Sequence, residues 1–387
     1  MDKDKHVQAY DILLTERSRI IERNYRHDAQ AKNPRPEKDG LCLRCHSMDA
    51  DAVLRGQYVA SSDGIGCERC HGPAEKWLSQ HYLNSWKQLS LDQKETLGFH
   101  DNKDLRTRAR VCAECHIGSG DAQVDHDLYG AGHPRLYFEM ASFVATMPPH
   151  WSLRAEKARH PDLEAREWAI GQVVCAQTAL ELLQFRATEK NERPWPEFAE
   201  YECYSCHHDL TASDARQKRG YGDRVPGTLP WNEWYYVMPQ RLAGPQSPLG
   251  DVEVAKLLGL LSKEMSQPLP DREQVLTHAR AAAQLLGQQA TALEHAPTFP
   301  ANTVRQWFDK VWGDRQELSG SWDRSAQGYL SLAALHATLS DLDPTQRSAA
   351  MRSQLKAMAK GLQFPRGVDS PRGLTPPFLP EPKAPAK

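Results

Sequence analysis

Apolar positions divide the chain into helical and irregular stretches. Near the start, Val7, Tyr10, Leu13, Leu14, Ile20 and Ile21 gather on one side of a helical wheel and predict an amphipathic segment. Pro34, Pro36 and Gly40 then mark a loop-rich passage. Residues 136–147 are densely apolar and aromatic. Pro161-Asp162 opens a pattern through Trp168, Ile170, Val173, Val174, Leu180, Leu183 and Phe185 that predicts a longer helix. From Asp251 onward the periodicity is helical, over 251–266 (Val254, Leu257, Leu258, Leu261), 271–294, 301–313, 322–340 and 344–362. The expected fold is mainly α, with residues 251–362 forming a small helical bundle. Residues 213–250, rich in Gly, Pro and Trp, read as a structured linker. Residues 363–387, with seven prolines from Pro365 to Pro385, read as an extended or disordered tail.

Composition narrows the class without fixing it. The 387 residues are 40% hydrophobic and 25% charged, which suits one large or two medium globular domains. With 48 Lys+Arg against 50 Asp+Glu, the chain lacks the basic excess that grips a nucleic-acid backbone. No run reaches the roughly 18 apolar residues of a membrane span.

The cysteines carry the chemistry. Eight of nine fall in four copies of one pattern: Cys42-Leu-Arg-Cys45-His46, Cys67-Glu-Arg-Cys70-His71, Cys112-Ala-Glu-Cys115-His116 and Cys203-Tyr-Ser-Cys206-His207. Two thiols at this spacing form thioethers to the two vinyl groups of one porphyrin, and the next residue, His, lies under the iron as proximal ligand. Zinc knuckles also use C-x-x-C pairs, but they space them regularly and do not require a His after every second Cys. A disulfide framework is unnecessary in a chain this long. Cys175 lies in the helical run and reads as a buried packing thiol.

Four haem c groups (iron) are therefore expected, on Cys42/Cys45, Cys67/Cys70, Cys112/Cys115 and Cys203/Cys206, with His46, His71, His116 and His207 as proximal ligands. Thirteen of 16 histidines fall within residues 1–210, which places a loop-rich tetrahaem domain at 1–212. There, porphyrin faces replace much of the side-chain core. A second His on an iron leaves a carrier that only passes electrons, whereas an open position binds small molecules. The leading candidates for the sixth position are His81, His126 and His133, followed by His6 and His150. Met140 and Met147 rank lower, as core fillers on an apolar stripe.

Gly64-Ile-Gly-Cys67-Glu-Arg-Cys70-His71-Gly-Pro-Ala-Glu-Lys-Trp77, with Gly132-His133-Pro134 and four attachment motifs, resembles the tetrahaem cytochrome c554 family. The resemblance covers roughly residues 1–210; the C-terminal helical region is extra to it. It implies closely stacked haems relaying electrons between redox partner proteins. It also raises an alternative, a five-coordinate haem at the second motif acting on a small nitrogen or sulfur species. All four motifs end in His, which departs from the lysine-ligated haem of dedicated nitrite reductases. Haem attachment occurs on the exported side of a bacterial membrane, so a periplasmic or extracellular location is expected. Met1-Asp-Lys-Asp-Lys5 is not followed by an apolar leader, and the expectation is that one has been removed. Haem propionates make the loaded protein more acidic than its formal charge of −2, which favours a cationic partner surface.

Replacing Cys67 and Cys70 by Ala removes one haem per chain in a pyridine haemochrome assay. Unchanged haem content refutes the attachment assignment.

Overall fold

A computed structural model describes residues 4–27, 33–48, 60–188, 194–207, 221–222, 224–243, 249, 251–346 and 348–364. The protein is mainly α-helical. Among the described residues the isolated bridge between Tyr201 and Trp231 is the strand-like feature, and no helix is long and apolar enough to cross a membrane. Residues 213–220, 223, 244–248 and 250 of the expected linker, and the Pro-rich tail from 365 onward, lie outside the described residues.

The chain packs as two compact units, Met1–His133 with Met147–His150, and Pro134–Thr146 with Trp151–Lys387. Histidine density set the expected border near residue 212, whereas packing divides the chain after His133. The first three attachment motifs lie in the first unit and the fourth lies in the second.

The first unit is built from short helices and turns. The expected N-terminal helix is broken into 3-10 turns at Lys5–Gln8 and Asp11–Leu14, then α1, Glu16–Tyr25. The break sits at Thr15, whose side chain accepts from the Ser18 N–H and caps α1. Helix α2, Gly40–His46, and helix α3, Cys67–His71, carry the first two motifs. The third motif closes α4, Leu105–His116, and α5 is His126–Ala131. Helix α1 holds α5 through Tyr25 Oη to Asp125 (3.2 Å), Asn24 to the Ala131 carbonyl (3.4 Å) and Arg17 to the Gly132 carbonyl (3.1 Å). Ala74, Trp77 and Trp86 form a small aromatic core with Leu89, Leu97 and Phe99. Leu13 is buried and Tyr10 and Ile21 are half-buried, while Val7, Leu14 and Ile20 stay exposed, so only part of the apolar face predicted for the N-terminal segment is spent on a side-chain core.

The second unit is a conventional bundle. After α6, Met140–Thr146, capped by Glu139 accepting from the Ser142 N–H (2.8 Å), comes α7, Leu163–Ala187. This helix is apolar nearly all round and buried along most of its length, as expected of a central rather than a surface helix. It packs against α9, Arg272–His295, and α11, Trp322–Leu342. Helix α8, Val252–Met265, lies on α9, α10, Ala301–Gly313, lies on α11, and α12, Ala349–Leu362, also packs on α11. The last helix starts later than the predicted 344, because Pro344–Gln346 forms its own turn and Ser348 caps at Met351 N.

At the start of α7 an ion pair is wholly buried. Arg166 donates to Asp162 (2.9 Å) and to the carbonyls of Leu293 (2.8 Å) and Pro297 (2.7 Å), while Asp162 also accepts from the Phe299 N–H (2.8 Å). Every polar arm thus ties α7 to the end of α9. Asp162→Ala strands the guanidinium in the interior and lowers unfolding free energy by about 3–5 kcal/mol. Denaturant titration of the helical signal measures this loss.

Candidate haem-binding sites

Each motif in the first unit is held by local backbone chemistry. In the second motif, Gly64 and Gly72 adopt φ values of +67° and +78°, where side-chain-bearing residues are strained. A Cβ at Gly64 would strike the Val7 carbonyl, and one at Gly72 the Gly98 carbonyl. The glycines flanking Cys67–His71 therefore allow two other chain segments to lie against the motif, and Ile65 N–H donates to the His6 carbonyl (3.0 Å). Helix α2 is capped by Asp39, which accepts from Leu41 N–H (2.9 Å) and from Arg26 (2.5 Å). Asp104 caps α4 through Thr107 N–H (2.6 Å).

The motif histidines meet partners from elsewhere in the same unit. The ring centres of His46 and His133 are 6.4 Å apart with planes at 79°. His71 and His150 are 6.1 Å apart at 90°, and His116 and His6 are 6.1 Å apart at 80°. An iron with an imidazole nitrogen about 2 Å away on each side separates the ring centres by about 6 Å.

Several of these rings are also oriented. His46 Nδ1 is 2.9 Å from the Ala9 carbonyl, His71 Nδ1 is 3.3 Å from the His100 carbonyl, and His6 Nδ1 is 2.9 Å from Asp4 Oδ1. An Nδ1–H donated to an oxygen leaves the Nε2 lone pair for a metal, the outer-shell arrangement typical of ligating histidine. Phe99 stacks on His71 at 5.3 Å and 8°, which further fixes that ring.

Burial disfavours protonation of the three motif histidines of the first unit. It pushes His46 and His71 below the ordinary imidazole value, and His71 is lowered further by the nearby His150. His116 is pushed down to about 4 by burial, with His6 and His46 adding to the effect. The cysteines also cluster. The Cys45 thiol hydrogen-bonds to Cys115, and Arg69 Nη2 lies 3.6 Å from the same Cys115 sulfur. These interactions bring Cys115 down to about 6, the Cys45 contact contributing most and burial opposing it. Groups from three motifs thus meet around one sulfur.

The residues fit haem. Among the described residues no three His, Cys, Asp or Glu side chains converge on a metal position; the motif histidines of the first unit each stand about 6 Å from one other imidazole. Two axial donors are the complement an iron needs when a porphyrin supplies the other four. The motif sulfurs are half-buried or, for Cys67 and Cys206, exposed, not sealed into the side-chain core.

The remaining candidates are placed differently. His81 is exposed, with Nδ1 2.7 Å from the Leu78 carbonyl and ring contacts to Trp77 and Tyr82 rather than to a motif histidine. His126 is half-buried as the first residue of α5. In the second unit, Cys203–Ser205 forms a 3-10 turn, Ser205 Oγ donates to Glu202 (2.8 Å), and His207 is exposed. Sequence reasoning missed the orienting oxygens of Ala9 and His100, since carbonyls carry no side-chain signature. Asp4, two residues before His6 and capping its turn, was the readable one.

C-x-x-C-H motifs, each with a second imidazole close to its histidine in the first unit, are the arrangement that a c-type haem site would need. In agreement, residues 2–72, which include the first two motifs, match the family model described as cytochrome c554 and c-prime. No curated protein and no solved structure matches the chain.

The depressed imidazoles give a definite pH dependence in the chain before haem is attached. A His whose folded-state pKa lies below its unfolded value favours folding fully above about 6.5, and that contribution is lost as protons bind the unfolded chain first. Stability should fall as pH drops from about 6.5 toward about 4, the value for His116, and denaturation midpoints measured across that range test the slope.

Proposed function

We propose that this protein is a tetrahaem c-type cytochrome that relays single electrons through closely packed, mostly bis-His haems. His133, His150 and His6 are assigned as sixth ligands opposite His46, His71 and His116. The observation that carries this reading is the set of three opposed histidine pairs at 6.1–6.4 Å, each with one member from an attachment motif. When bound, each haem supplies a one-electron ferric/ferrous couple. The chain's own part is to hold the imidazoles oriented, so that reduction would change ligand geometry little.

The contact between Cys45 and Cys115, with Arg69 beside them, supports close packing of the haems on the first three motifs. His150 opposite His71 supports a filled second iron, and with it a carrier rather than a catalyst acting on nitric oxide or hydroxylamine at that position. The proposed setting is periplasmic or extracellular, between donor and acceptor redox proteins, with the acidic propionates favouring cationic partner surfaces.

The purified protein should carry four haems per chain. His133→Ala, His150→Ala and His6→Ala should each convert one low-spin haem to high-spin and create a site that binds carbon monoxide when reduced. A variant whose spectrum stays wholly low-spin removes its histidine from the ligand set.

A further inference from the structure

The second unit holds a buried charge pair at the fourth attachment motif. Arg135 and Asp323 form a two-pronged ion pair, Nη1 to Oδ1 at 2.8 Å and Nη2 to Oδ2 at 2.7 Å, with both side chains almost wholly buried. Arg135 Nη2 also reaches Asn232 Oδ1 (3.4 Å), and its guanidinium lies over the Trp234 ring at 5.9 Å. The Asn232 segment is bound directly to the residues that lead into Cys203. Asn232 N–H donates to the Glu200 carbonyl (2.8 Å), Glu202 N–H donates to the Pro230 carbonyl (3.1 Å), and Tyr201 bridges to Trp231. The pair thus connects α11 to the residues just before the motif.

Anchoring alone does not require it. The same segment is already fastened to α7 by the buried pair Arg186–Glu200 (2.7 Å), with Trp231 Nε1 also reaching Glu200 (3.4 Å). What distinguishes Arg135 is its field. Burial is the strongest influence and works against its charge, but the attraction of Asp323, added to that of Cys203 and Tyr204, holds the guanidinium well above its ordinary value, so it is a permanent cation. Burial raises Cys203, Arg135 pulls it down and Asp323 pushes it up, the cation having the greater effect of the two. In a low-dielectric interior, such a fixed charge beside an iron centre disfavours its more positive, ferric state.

We propose that the Arg135–Asp323 pair sets the reduction potential of the fourth haem. Arg135 raises it, Asp323 trims it, and the C-terminal bundle is thereby part of the redox machinery. Both are positioning residues acting through their charge, and the inference rests on the reading that Cys203 and Cys206 carry a haem.

Spectroelectrochemical titration of the full haem-loaded protein tests it. Arg135→Gln should lower one midpoint potential and Asp323→Asn should raise that same midpoint, leaving the other three in place. The double variant should fall between them, and Arg135→Lys should stay near the parent value. A chain with Cys203 and Cys206 replaced by Ala should lack one haem and lose the component that the pair moves. Midpoints that do not move, or that move in the same direction in both single variants, as loosened packing would produce, overturn the inference while four haems per chain leave the tetrahaem reading standing. Full haem content after the cysteine replacement overturns that reading instead.

Discussion

Two neutral imidazoles set nearly perpendicular, with centres about 6 Å apart, attract each other weakly; even good aromatic pairs contribute only about 0.5–1.5 kcal/mol. Three such arrangements in one unit, each using the histidine of a C-x-x-C-H motif, need a stronger common cause. On the proposed reading axial ligation would provide it, because an iron held between the rings would turn a weak contact into two coordinate bonds. The rest of the first unit is consistent with serving those bonds. Its helices are short, its side-chain core is a small aromatic group around Trp77 and Trp86, and its backbone oxygens at Ala9 and His100 aim imidazoles rather than extend helices.

The second unit is stabilised differently. Long helices bury continuous apolar faces, and three ion pairs are admitted to the interior, Arg166 with Asp162, Arg186 with Glu200, and Arg135 with Asp323, beside carboxylates such as Glu139 that accept from backbone N–H groups. Removing one member of such a pair is far costlier than leaving both. Two of the three pairs lie on the path to the fourth motif, so the bundle's most demanding interactions are concentrated where a covalently attached group would join it.

The sequence revealed local chemistry much better than long-range partnership. C-x-x-C-H is a contiguous pattern, and the C-terminal helices follow apolar periodicity, so both could be read directly. The proposed ligand partners could be narrowed to candidates but not paired, because the approach of His116 to His6 or of His71 to His150 depends on how distant segments fold together. His81 ranked high for its aromatic neighbours, yet Trp77 and Tyr82 engage its ring. His150, behind two prolines, ranked lower, although Met147–His150 packs with the first unit while the residues on either side pack with the second. The long helix 163–187 was legible as a helix, but its role as the centre of the second unit depended on neighbours more than a hundred residues later.

His6 precedes the histidine it faces by roughly 110 residues, a separation whose loop-closure cost grows only slowly with length but must still be met late. In a chain made from its N-terminus, His6 emerges first and waits until the third motif has followed. On the proposed bis-His reading, a haem attached at that motif would gain its second axial ligand only when the N-terminal turn folds back, so the last-placed segment would be the one that shields this site from small diatomic molecules.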